Sequence, residues 1–301
     1  MSDPSGILLV DKPGGMTSHD VVARARRALD TRKVGHAGTL DPMATGLLVL
    51  GVGASTRLLT FIVGLDKTYE ATIQLGISTS TDDAEGDVTA WAPANGVTDA
   101  EIRAGVDALT GTIDQVPSAV SAIKVDGRRA YDRVRAGEQV ELAARTVTVS
   151  RFEVQHTRRG ATDADGAPIE VIDLDVVVDC SSGTYIRALA RDLGASLGVG
   201  GHLTALRRTR IGPFLVADGA EVDDMTAARL LAPAAVATAV LGAVPVTGEE
   251  ARDLRHGKRL LGAADRLLSG TAAIDPDGRL VGILERRGND LKSAMNMAEG
   301  S

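Results

Sequence analysis

Hydrophobic positions recur along the chain with two periods, and these place the elements before any chemistry is considered. Residues 6–10 (Gly-Ile-Leu-Leu-Val) are an apolar run that ends in the turn cluster Asp11-Lys12-Pro13-Gly14-Gly15, as a buried strand does. Thr17 and Asp20 stand at capping-box spacing. Val21, Val22, Ala25, Ala28 and Leu29 then line one helical face, with Arg24 and Arg27 on another. A glycine-rich stretch, Gly35 to Gly46, precedes Leu47-Leu48-Val49-Leu50, which predicts a buried strand. Residues 69–75 alternate as a half-buried strand does, and residues 171–180 read as another. Thr184 to Leu197 has helical spacing, with Ile186, Leu189, Ala190, Leu193 and Leu197 facing inward. Leu230 to Val246 is uncharged but broken by Pro233, Gly242 and Pro245, so it predicts a buried helix and a loop, not a membrane span. The basic helical piece Glu249 to Leu260 and short strands around Pro276-Asp277-Gly278 follow. Together they set a domain boundary near residue 244.

Composition narrows the classes. The chain has 301 residues, 44% hydrophobic and 24% charged, which excludes a mainly disordered protein and allows a sizeable core. One cysteine, Cys180, permits no intrachain disulfide and no Cys-rich metal site, so a reducing cytoplasm is expected. No basic region precedes the short run at Ile7, so no signal peptide is read there. Three Phe, three Tyr and one Trp cannot supply the stacking platforms of single-strand binders, which gives Tyr69 and Tyr185 more weight.

The net charge of −7 argues against nucleic acid until its distribution is considered. Acids concentrate at 78–114 and 161–179; bases concentrate at Arg24–Lys33, Lys124–Arg135 and Arg187–Arg210. A polyanion responds to local potential, so three basic clusters beside glycine-rich loops point to a phosphate-backbone partner.

Several familiar motifs fail. Gly51-Val52-Gly53 lacks the third glycine of a dinucleotide fingerprint and reads as a loop. Thr81 to Gly86 begins like a calcium loop but starts on Thr and lacks the closing Glu, which leaves an acidic surface loop. The five histidines lack zinc spacing, and no serine-hydrolase elbow or Walker lysine occurs. What remains is Gly35-His36-Ala37-Gly38-Thr39-Leu40-Asp41-Pro42-Met43-Ala44-Thr45-Gly46. Asp41-Pro42 could start a helix as N-cap and first residue, but the strand-like run that follows weakens that reading. An aspartate in a glycine-rich loop between apolar elements is a candidate nucleophile or base. Arg187 falls in a first helical turn, where the macrodipole disfavours a cation by about 0.3–1 kcal/mol, so a nearby carboxylate is expected.

These residues carry a resemblance. The 35–48 segment resembles the signature of bacterial TruB-type tRNA pseudouridine synthases, and Asp11-Lys12-Pro13-Gly14-Gly15-Met16-Thr17-Ser18 resembles that family's first motif. Lys67-Thr68-Tyr69-Glu70-Ala71 is similar to its active-site tyrosine segment. Residues 117–131 are similar to its RNA-gripping region, and Cys180 to Arg187 to its active-site arginine motif. Gly200 to Arg208 completes an ordered set over the first 215 residues or so. The C-terminal piece resembles a PUA-type RNA-binding domain through His256-Gly257-Lys258 and Asp277 to Gly282.

The resemblance implies an α+β fold: a catalytic domain (1–243) on an extended, mostly antiparallel mixed sheet flanked by helices, with an RNA-gripping insertion at about 120–145. A small β-rich PUA-like domain (244–301) follows. It implies isomerisation of uridine to pseudouridine at position 55 of the tRNA T loop, with base flipping. Asp41 would be the essential aspartate and nucleophile, although addition to the base, attack at ribose C1′ and removal of a ribose proton all stay open. Tyr69 would stack on the base, and Arg187 would pair with Asp41. Leu206 would pack in the uracil pocket, with Lys12 and Pro13 supporting the loop. His36, Tyr185, Lys124, Arg128 and Arg129 are candidate RNA contacts. The implied enzyme is a cytoplasmic monomer with no cofactor, no metal, no membrane association and no obligatory protein partner; its substrate is the tRNA T arm. A non-catalytic RNA-binding or tRNA-folding protein, a synthase for another RNA and an aspartate phosphotransferase are the rival readings.

Overall fold

The computed structural model describes residues 4–118, 124–125, 128–129, 143–164 and 166–297. Its contacts divide the chain into two compact units, Met1–Leu65 with Arg210–Ser301, and Asp66–Thr209.

The first unit is built on two antiparallel strands, Gly6–Lys12 and Thr45–Val52, in register from Gly6 opposite Val52 to Lys12 opposite Gly46. Both strands bury both faces, which is why each reads as a continuous apolar run without alternation. One face sends Ile7, Leu9, Leu47 and Val49 into a core with Leu58, Ile62, Phe214 and Val236. The other sends Leu8, Val10, Leu48 and Leu50 against Val21, Val22 and Ala25 of the helix Ser18–Ala28. That helix starts with the expected capping box: the Thr17 hydroxyl accepts from the Asp20 amide while the Asp20 carboxylate accepts from the Thr17 amide. No helix starts at Asp41, which removes the N-cap reading. The expected loop at Gly51–Gly53 is a strand as far as Val52. A Cβ on Gly51 would lie 2.9 Å from the Thr56 Cα, so glycine serves close packing there.

In the same unit the helix Pro233–Leu241 begins on its proline and stops at Gly242, whose φ of 71° is left-handed. A four-stranded sheet follows in the order Ala243–Pro245, Ala272–Ile274, Leu280–Arg287, Asp290–Asn296. It packs Val281, Leu284 and Leu291 against Ala251 and Leu254 of the helix Gly248–Arg255.

The second unit is an extended sheet in the order Gly201–Ile211, Lys67–Leu75, Ala167–Cys180, Arg145–Ala164, Gly111–Gln115. The pairings of the last four are antiparallel. Lys67–Leu75 is in register with the partner strand from Lys67 opposite Cys180 to Leu75 opposite Ile172. Alternation of buried and open positions along both strands matches their sequence pattern. The helices Asp99–Ala108 and Ile186–Ser196 touch where Gly105 stands; a Cβ there would come within 2.6 Å of Leu193. No helix among the described residues is long and apolar enough to cross a membrane.

Candidate active site

Asp41 sits in a turn whose main chain is held on both sides by the segment after the first strand. The Ser18 hydroxyl accepts from the Leu40 amide at 2.9 Å and lies 3.2 Å from the Leu40 carbonyl as donor. On the other side, the Pro42 carbonyl accepts from the Gly15 amide at 2.9 Å and from the Lys12 ammonium at 3.3 Å. Lys12 is fully buried and also donates to the carbonyls of Pro13 (2.9 Å) and Met16 (2.6 Å). A buried ammonium needs such compensation, and the three carbonyls tie the two loops together. The Ala44 amide closes the turn on the Asp41 carbonyl at 3.1 Å. Gly38 and Gly46, with φ of 89° and 100°, bracket this stretch in conformations that favour glycine. Asp41 itself is partly exposed.

Lys12 thus lies against the Asp41 turn, while Pro13 is exposed beside it. His36 ends the strand Val34–His36, and its ring meets that of His19 edge-on with centroids 5.5 Å apart. Ser18 was not singled out in the sequence. Its signal was a lone hydroxyl on the apolar stripe shared by Val21, Val22 and Ala25.

Tyr69, Tyr185, Arg187 and Leu206 belong to the second unit. Tyr69 is buried on the strand Lys67–Leu75 and Leu206 on Gly201–Ile211. Two strand positions before Tyr69, burial and the Arg208 guanidinium pull the Lys67 ammonium down to about 8. The helix Ile186–Ser196 starts at Tyr185, whose peptide is bracketed by the buried amide of Gln115: Nε2 donates to the Tyr185 carbonyl at 3.0 Å and Oε1 accepts its N–H at 2.8 Å.

Arg187, 4% exposed, lies in the first turn. Its Nη1 donates to the Thr81 carbonyl at 2.8 Å and stands 3.3 Å from the Asp83 carboxylate. The carboxylate that a first-turn cation needs is therefore present, and it is Asp83. This corrects at one residue the expectation that Thr81–Gly86 is an acidic surface loop: Asp83 is 3% exposed, while Ala84 and Glu85 are exposed. The Glu85 amide and the Thr81 hydroxyl donate to the Asp83 carboxylate, and the Thr79 hydroxyl to the Asp83 carbonyl. Next to it, Asp82 has a φ of 60°, a left-handed turn costing a non-glycine residue about 1–2 kcal/mol. Burial pushes the Asp82 carboxyl up from its usual value, against the pull of Arg191 and Arg187.

The third basic cluster also needs correction. Arg187 and Arg208 are buried, and Arg191 is engaged with Asp82 and with Asp192, so these three do not form an exposed phosphate-binding face. The expected insertion at 120–145 lies mostly outside the described residues. Within it, Lys124–Val125 and Arg128–Arg129 pair as short antiparallel strands, and the side chains of Lys124, Arg128 and Arg129 lie outside the description. Among the described residues, no group of three or more His, Cys, Asp or Glu side chains is placed to hold a metal ion.

Residues 26–186 match the TruB family pseudouridylate synthase N-terminal domain. The chain belongs to the TruB family of pseudouridine synthases. Residues 187–244 match the tRNA pseudouridylate synthase B C-terminal domain, and residues 241–298 match the C-terminal domain described as tRNA pseudouridine synthase II. Among relatives, tRNA pseudouridine synthase B of Leifsonia xyli is 56% identical over 298 residues, covering 97% of this chain and 96% of the relative. That of Thermobifida fusca is 55% identical over 285 residues, covering 94% of each. The fold is that of a Cbf5-Nop10-Gar1 complex chain (TM-score 0.65, 24% identity, 98% of this chain and 79% of that one). It is also that of a chain in an H/ACA RNP bound to a substrate RNA containing 2'-deoxyuridine (TM-score 0.66, 22% identity, 97% and 85%). This TruB-family enzyme thus has the α+β pseudouridine-synthase fold expected from its sequence.

Proposed function

We propose that this TruB-family enzyme isomerises uridine 55 in the T loop of tRNA to pseudouridine, with Asp41 as the nucleophile. The observation that carries this reading is the turn at Asp41. A partly exposed carboxylate stands between two peptide units pinned by Ser18, Gly15 and Lys12. Pre-set positioning of this kind is what an attacking group requires. The relatives' name, tRNA pseudouridine synthase B, supports tRNA as substrate.

In the reaction the N1–C1′ bond breaks, the uracil turns, and a C5–C1′ bond forms. The C5 proton leaves and N1 gains one, so atoms balance without a co-reactant. A stacked base must first leave the loop, at a cost of a few kcal/mol. Arg187 pairs with Asp41 and keeps it ionised, and within its own unit Arg187 is held by Asp83. Tyr69 stacks on the flipped uracil and Leu206 packs against it, while His36 and Tyr185 meet the nucleotide. Lys124, Arg128 and Arg129 grip the T-arm backbone, and the 244–301 segment acts as a PUA-like RNA-binding domain. The enzyme works as a cytoplasmic monomer without a protein partner.

The test is tritium release from tRNA transcripts labelled at uridine C5. Wild type should release label from a transcript with uridine 55 and not from one with cytidine there; Asp41→Ala should release none from either. Equal release by wild type and Asp41→Ala would overturn the assignment.

A further inference from the structure

We propose that Arg191 and Asp82 are positioning residues for catalysis: their ion pair sets the register of the 79–87 loop on the helix Ile186–Ser196, and so places Arg187. The inference rests on the reading of Arg187 as an active-site residue.

Arg187 and Arg191 are four residues apart, so both side chains leave the same face of that helix. They meet consecutive carboxylates. Arg187 stands 3.3 Å from Asp83, and Arg191 Nη1 stands 3.3 Å from Asp82. In an extended segment, neighbouring side chains point to opposite sides. The left-handed turn at Asp82 (φ 60°) lets both face the helix, and an aspartate held in that conformation without glycine is a specific arrangement.

The pair is also bound to everything that locates Arg187. Arg191 Nη2 donates to the Val116 carbonyl at 2.7 Å, one residue after Gln115, whose amide fixes the start of the helix at Tyr185. The Asp82 carbonyl accepts from the Leu203 amide at 3.0 Å, on the strand that carries Leu206. Thr81, whose carbonyl receives Arg187, directly precedes Asp82. A slip of the loop at residue 82 therefore moves the Thr81 carbonyl and the Asp83 carboxylate together. The charged groups facing one another across this contact are Asp82, Asp83, Arg187, Arg191 and Asp192.

The experiment uses the full chain and C5-tritiated tRNA, with single-turnover rate, tRNA Kd and thermal midpoint measured for Asp82→Asn, Arg191→Met, their double variant and Arg191→Lys. Each single change should lower the single-turnover rate about tenfold with Kd within about twofold, because a small misplacement costs rate more than binding. The double variant should be no slower than the slower single, since the two residues act as one unit, and Arg191→Lys should recover about a third or more of the rate. Unchanged rates in folded single variants would overturn the inference, as would losses that multiply in the double. Asp41→Asn and Arg187→Met are measured in parallel. If they remain active, the reading of the site fails; if they are inactive while the Asp82 and Arg191 variants keep full rate, only this inference fails.

Discussion

The Asp41 turn and the Arg187 helix start are held by different forces. Around Asp41 the bonds run to main-chain groups: a hydroxyl on the Leu40 peptide, an amide and an ammonium on the Pro42 carbonyl. Around Arg187 ion pairs are added to bonds of that kind: Arg187 meets Asp83 and Arg191 meets Asp82, beside their bonds to the Thr81 and Val116 carbonyls. An ion pair holds only while both partners stay ionised, and its energy depends on burial.

That contrast can be broken from either side. The largest effect is expected from Asp83→Ala, which takes away the carboxylate 3.3 Å from the buried Arg187 guanidinium; urea unfolding should show a loss of about 3–5 kcal/mol. Lys12→Met strips one donor from three carbonyls and should cost about 2–3 kcal/mol by the same measurement. Ser18→Ala removes the two contacts to the Leu40 peptide and should cost about 1–2 kcal/mol. Its single-turnover rate should fall more than its tRNA affinity.

An effect of a different kind, a pH signature, belongs to the second unit. Lys67 titrates near 8 in the folded protein against 10.5 ordinarily. Between those values the unfolded chain binds more protons, so this group adds stability as the pH rises through that window. Lys67→Met should flatten the rise, seen in unfolding midpoints measured from pH 7.5 to pH 10.5. A rise unchanged in that variant would remove Lys67 as its source.

Much of this was legible in the sequence because local rules and packing agree. Thr17 and Asp20 announced a helix start that the structure contains, and Leu47 to Leu50 announced a strand buried on both faces. The first-turn position of Arg187 called for a carboxylate without saying which. Asp83 stayed hidden because acids between turn residues read as solvated. The left-handed backbone at Asp82, which no glycine marks, stands where the chain turns to bury Asp83. Gln115 was equally silent: an amide at a strand end acquires its role only from the Tyr185 peptide seventy residues away in the chain. Gly51 misled in the other direction, since its freedom serves a close approach to Thr56, not a loop.

The most direct measurement is a single-turnover assay of Asp41→Asn with tRNA labelled at uridine C5, alongside its tRNA Kd. A nucleophilic carboxylate in a turn held by its neighbours predicts a folded protein that binds tRNA within about twofold of wild type and releases no tritium above background. Release at the wild-type rate would place the chemistry on another residue and contradict the account.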